Sequence, residues 1–192
     1  MKLKLAAVIL FGTVVALPAA ALAFAKPLRV VAPALMPNIS CLGTHICTDD
    51  VRKLDDARAL YHAGYETATE AVGPFLGAPR VVFCTTQACA ETFGLGSRAA
   101  MAVGNVGLIV APRGWASFYL AHEMIHHRQA ESLGNLAMLT KPSWLIEGMA
   151  YSLSKDPRAT LSEPFAHWRA QFESWYADVD PHGLWEAARA VR

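Results

Sequence analysis

The chain is predicted to be an α+β protein, with a small β-sheet packed on a helix and a mostly helical C-terminal part. Three observations carry this expectation. Residues 48–72 hold an amphipathic helical pattern, short β-branched apolar runs occur at 80–84 and 99–112, and helical periodicity returns after Pro112. At 192 residues and 54% hydrophobic composition, the sequence has about one domain's worth of chain and enough apolar surface for a core. It contains neither an internal repeat nor a low-complexity linker.

Taken in order, the first 25 residues read as a secretory signal. A short basic start, MKLK, leads into an apolar run that ends in small residues with A-x-A spacing. Cleavage after Ala23 or after Ala25 fits equally. The competing reading is an uncleaved anchor, because Leu5 to Ala25 approaches the roughly 20 residues that span a bilayer; Pro18 and the repeated alanines favour cleavage. Residues 26–192 would then form a single exported domain, periplasmic or secreted, with membrane contact only if the N-terminal segment stays attached.

Residues 26–48, with Pro27, Pro33, Pro37 and Gly43, are expected to be irregular. Thr48 or Asp49 can cap the following helix, which places Leu54, Tyr61, Tyr65, Ala68 and Val72 at helical spacing and stops at Gly73-Pro74. RVVFC (80–84) reads as a buried strand and TQACAETFG (86–94) as a short helix ending at Gly94. In AAMAVGNVGLIVAP (99–112), Gly104-Asn105 can make a tight hairpin turn.

Four cysteines, Cys41, Cys47, Cys84 and Cys89, all lie beyond the signal. In an exported chain an even number suggests two disulfides among three possible connectivities. Short intervening loops favour Cys41–Cys47 with Cys84–Cys89, and the C-x5-C and C-x4-C spacings suit a four-cysteine zinc site poorly. Seventeen Lys and Arg against sixteen Asp and Glu leave the chain near neutral, and no basic block appears. A nucleic-acid partner is therefore not expected.

The chemistry concentrates in YLAHEMIHHRQAES (119–132). His122 and His126 are four positions apart, about 40° around a helix, so both imidazoles can reach one ion. Glu123 flanks the same face and can hold a water without ligating the metal. A catalytic zinc usually takes three protein ligands. The best third candidate is Glu147 in KPSWLIEGMAYSL (141–153), where Pro142 and Ser143 can open a helix. Small residues at 148 and 150 allow close helix approach, Gly134 stops the preceding helix, and the reversal over 135–142 would make the two helices antiparallel.

H-E-x-x-H followed at modest distance by a helix reading W-L-x-E-G-x-A resembles the gluzincin branch of the zincin metallopeptidases, including small exported bacterial members. The resemblance covers roughly residues 100–155. It implies a zincin-like fold, Zn2+ held by His122, His126 and Glu147, Glu123 as general base, and a peptide or protein substrate hydrolysed by a zinc-bound water. It also implies that the strand at 106–111 matches the family's sheet edge along the substrate cleft. Some gluzincins carry an acidic residue four positions after the ligand glutamate, where it supports a histidine; this chain has Tyr151 there. Support for the histidines must then come from elsewhere.

Blander readings stand beside these. The His122, Glu123 and His126 face would be a solvated helix surface, but Ala121, Met124 and Ile125 around it argue for partial burial, where unpaired polar groups are costly. Glu147 would complement a helix dipole. Tyr151, one turn after Glu147, either donates to an oxyanion as a catalytic residue or fills interhelical space. His127 points about 100° away from His126, toward solvent or a supporting role. His167, Tyr176 and His182 are more distant donor candidates. The alternative to a peptidase is a non-catalytic exported binding or assembly factor that keeps a zincin fold.

Overall fold

The computed structural model describes residues 25–192. Nearly all of the expected signal segment lies outside the described residues. Five strands form one mixed sheet: β1 (Ser40–Leu42), β2 (Ile46–Thr48), β3 (Val81–Phe83), β4 (Ala100–Val103) and β5 (Gly107–Val110). Their spatial order is β1-β2-β3-β5-β4. The central pairs β2/β3 and β3/β5 are parallel, whereas the outer pairs β1/β2 and β4/β5 are antiparallel hairpins. The α+β expectation holds.

Parallel central strands are covered on both faces, so they read as continuous apolar runs. Val81, Phe83, Leu108 and Val110 face one core, and Val82 and Ile109 face the other. The first core is closed by helices α1 (Leu54–Val72), α3 (Ser117–Leu133), α5 (Ser143–Leu153), α6 (Phe165–Tyr176) and α7 (Leu184–Ala190). The second is closed by a 3-10 turn at Lys26–Val31 and the short helix α2 (Gln87–Thr92), through Val30, Cys89, Ala90 and Phe93. A four-residue helix α4 (Asn135–Met138) sits in the reversal between α3 and α5.

Both expected disulfides are present. Cys41 and Cys47 are directly opposed across the β1/β2 hairpin with Cα atoms 4.0 Å apart. Cys84–Cys89, with a Cα separation of 5.4 Å, ties the end of β3 to α2. Two disulfides fit an oxidising environment. Among the described residues no helix is long and apolar enough to cross a membrane.

Three expectations change. Residues 26–48 are not wholly irregular, because Ser40–Leu42 and Ile46–Thr48 pair as a hairpin that joins the sheet. Thr48 is therefore the last residue of β2 and not a helix cap. Asp50 caps the 3-10 turn Val51–Lys53 that leads into α1, its carboxylate accepting from the Arg52 amide at 3.0 Å, while Asp49 accepts from the Thr85 and Thr86 amides; α1 itself has no side-chain cap. Finally, the strand at 106–111 is not the sheet edge. β5 pairs with β3 on one side and β4 on the other, so β4 forms the edge.

Two close approaches fix α3 against this sheet. A Cβ on Gly114 would lie 2.1 Å from the Ala99 carbonyl oxygen, so the turn leading into α3 can pass the start of β4 only without a side chain. Trp115 donates its indole N–H to the Cys84 carbonyl at 2.8 Å. On its far side α3 presses Leu120 on Gly64 of α1, where a Cβ would meet Leu120 Cγ at 2.8 Å. The helix carrying HEMIH is thus held between the β4 edge and α1.

Candidate metal centre

The helical spacing of His122 and His126 brings their Nε2 atoms to 3.0 Å from one another. Glu147, on α5, places Oε2 3.5 Å from His122 Nε2 and Oε1 3.6 Å from His126 Nε2. These three residues form a group whose donor atoms all lie within 4.8 Å of one another. One nitrogen from each histidine and one Glu147 oxygen are thus close enough together to reach a single divalent ion.

The reason Glu147 arrives there is the packing of α5. Leu145, Met149 and Ala150 are fully buried in the helical core, leaving Glu147 on the side toward α3. The close approach expected of Gly148 is made to α6: its Cβ position lies 2.3 Å from the Trp168 carbonyl oxygen and 2.8 Å from Phe172 Cβ. α5 is thereby clamped between α3 and α6.

A residue outside the sequence motif orients the site. Gln129, fully buried, places Oε1 2.8 Å from His126 Nδ1. An amide oxygen can only accept, so Nδ1 carries a proton and Nε2 faces the group. The Gln129 amide also donates to the Ile146 carbonyl at 2.9 Å, linking the ligand histidine to the residue before Glu147. The signal was its position three after His126, on the same helical face.

Electrostatics favours a cation. Burial pushes the His126 pKa down, but the Glu147 carboxylate overrides it and, with weaker help from Glu123 and Gln129, raises it to about 9. Burial likewise pushes Glu147 up, yet hydrogen bonds from both histidines hold it well below the usual carboxylate range. Without a metal, a proton on His126 balances the Glu147 carboxylate.

Glu123 is not one of the converging donors. Its Oε2 accepts the Ala102 amide of β4 at 2.7 Å, so the carboxylate stands between the metal group and the sheet edge. Tyr151 lies against His122, ring centroids 4.5 Å apart, and also packs on Phe165. Burial first, then the Glu147 charge, raises its pKa, which keeps the phenol protonated as a donor. Beside it, Arg158 lies over Phe118, Tyr119 and Tyr151 at 5.5, 5.3 and 5.8 Å from the ring centroids. The buried Asp156 carboxylate holds Arg158 through its Nε at 2.9 Å. Neither Asp156 nor Arg158 carried a sequence signal, since they come from an irregular segment.

Of the two readings of His127, exposed or supporting, the exposed one fails. The residue is buried, with Nε2 3.5 Å from Glu131 and its ring 6.1 Å from Phe75, because the loop after α1 covers that face. His167 and His182 are exposed, and Tyr176 stacks on Phe172. None of these three borders the cleft.

A cleft of about 740 Å³ opens over the group. β4 forms one wall; α3 and α5, with His122, Glu123, His126, Glu147 and Tyr151, form the floor and the other wall. Two imidazoles and a carboxylate can hold a divalent ion here, with the Glu123 carboxylate beside them and the β4 edge alongside. Comparison with known proteins found no family model, curated sequence or solved structure that matches this chain. What the site does is therefore read from its own geometry.

Proposed function

We propose that this protein is an exported, zinc-dependent peptidase of gluzincin type. The observation that carries the reading is the convergence of His122, His126 and Glu147 to within reach of one ion, with Glu123 beside them and bonded to the sheet edge. A borderline-soft ion in a two-imidazole, one-carboxylate site is most simply zinc, and when bound it would acidify a water and polarise a carbonyl. Gln129 fixes the His126 tautomer and Glu147 closes the ligand set. Glu123 accepts the proton of the attacking water and passes it to the leaving amine. Tyr151, a protonated phenol on the cleft wall, is placed to donate to the oxyanion.

The test is a digest of mixed peptides by purified, zinc-loaded protein, with and without a chelator. Cleavage that the chelator abolishes and zinc restores is expected. Zinc-loaded protein that leaves a broad peptide library intact would favour the alternative, a binding or assembly factor.

A further inference from the structure

The cleft is charged unevenly along its length. Arg98 lies two residues before the edge strand β4, and Arg113 lies in the 3-10 turn Pro112–Gly114 that leads into α3. Their backbones adjoin: Gly114 packs so tightly on Ala99 that no Cβ fits between them. Both arginines are exposed and line the same cleft as the metal group. Neither side chain has an ion pair or hydrogen bond among the described residues. Arg158, by contrast, is already held by Asp156. At the opposite end, Gly104 in the β4/β5 turn and Met138 at the end of α4 line the cleft and bring no charge.

Two guanidinium groups without partners among the described residues make this rim of the cleft positive. A carboxylate suits such a rim, because a guanidinium fork pairs with it in two parallel hydrogen bonds. Glu123 meets β4 at Ala102, so the paired arginines lie a short distance along the strand from the reacting centre.

We infer that Arg98 and Arg113 form an anion-recognition subsite at the β4 end of the cleft, selecting peptides that carry a carboxylate near the scissile bond. The inference rests on the peptidase reading for the location of that bond. The carboxylate comes either from an acidic side chain or from the peptide's own C-terminus.

The test separates binding from turnover. Zinc-loaded Glu123→Gln protein is titrated, by fluorescence anisotropy, into dye-labelled peptides that differ only in Glu, Gln or Lys at one position. Each peptide is made with a free or an amidated C-terminus. The Glu or free-acid peptide is expected to bind about threefold to thirtyfold more tightly than its neutral partner, the range for two partly exposed ion pairs. That preference should shrink with added salt and disappear in a protein that also carries Arg98→Gln and Arg113→Gln. The Gln–amide contrast among the peptides shows whether side chain or chain end is read. Equal binding of charged and neutral peptides would overturn the inference, as would a preference that survives the double substitution. Acid-selective binding without chelator-sensitive cleavage in the wild type would instead sink the peptidase reading and leave the subsite standing.

Discussion

Gln129 bridges the two helices of the candidate metal centre: its Oε1 meets His126 Nδ1 at 2.8 Å and its Nε2 meets the Ile146 carbonyl at 2.9 Å. Replacing it by leucine keeps the volume but leaves His126 free to turn and the Ile146 carbonyl without this donor. Outer partners of ligand histidines typically contribute about 10- to 100-fold in metal affinity. Gln129→Leu should therefore weaken zinc binding by about that factor, measured by competition with a chromophoric chelator. Unchanged affinity would show that His126 is oriented by other means.

Gly148 is where α5 touches α6, and its position leaves no room for a methyl group. With a Cβ 2.3 Å from a backbone oxygen, Gly148→Ala must part the helices, and overpacking of this kind costs about 1–3 kcal/mol. Chemical denaturation should show that loss. Because Glu147 is the adjacent residue, zinc affinity should fall as well, whereas a purely structural defect would leave affinity intact in the folded fraction.

In the metal-free protein, stability should depend on pH through the Glu147–His126 pair. His126 is raised from 6.5 to about 9, so its contribution is complete below pH 6.5 and is lost as pH rises through about 9. Glu147 is depressed below its ordinary 4.5, so its contribution is present above pH 4.5 and is lost as pH falls below it. Thermal melts in chelator should show Tm falling between pH 6.5 and 9.5. Saturating zinc should remove that alkaline fall, because the ion replaces the proton. A chelated protein whose Tm is flat across this range would contradict the pairing.

Much of this was legible in the sequence, and the misses have physical causes. HEMIH and Glu147 were readable because helical periodicity converts spacing directly into facing, and the structure brings those residues together. The disulfide pairs were readable because short loops constrain closure. The hairpin β1/β2 was not, since each strand is only three residues long and too short for any period to show. Assigning the sheet edge to 106–111 failed because edge position depends on which hairpin strand finds β3, a long-range pairing that local pattern does not encode. Gln129 was visible as a neighbour of His126, but its second bond, to Ile146, exists only once α5 packs against α3. Arg98 and Arg113 are fifteen positions apart, and only the packing of the Pro112–Gly114 turn on Ala99 brings their backbone segments together.

The most direct test of the central claim compares Glu123→Gln with wild type in one preparation, reading zinc per chain and the rate of chelator-sensitive peptide cleavage together. Glu123 bonds to Ala102 and stands apart from the converging donors, so its loss should leave the ion in place. As the proton acceptor, its loss should cost about 10²- to 10⁴-fold in rate. Full zinc content with cleavage reduced to that extent is the predicted result; full zinc content with an unchanged rate would contradict the account.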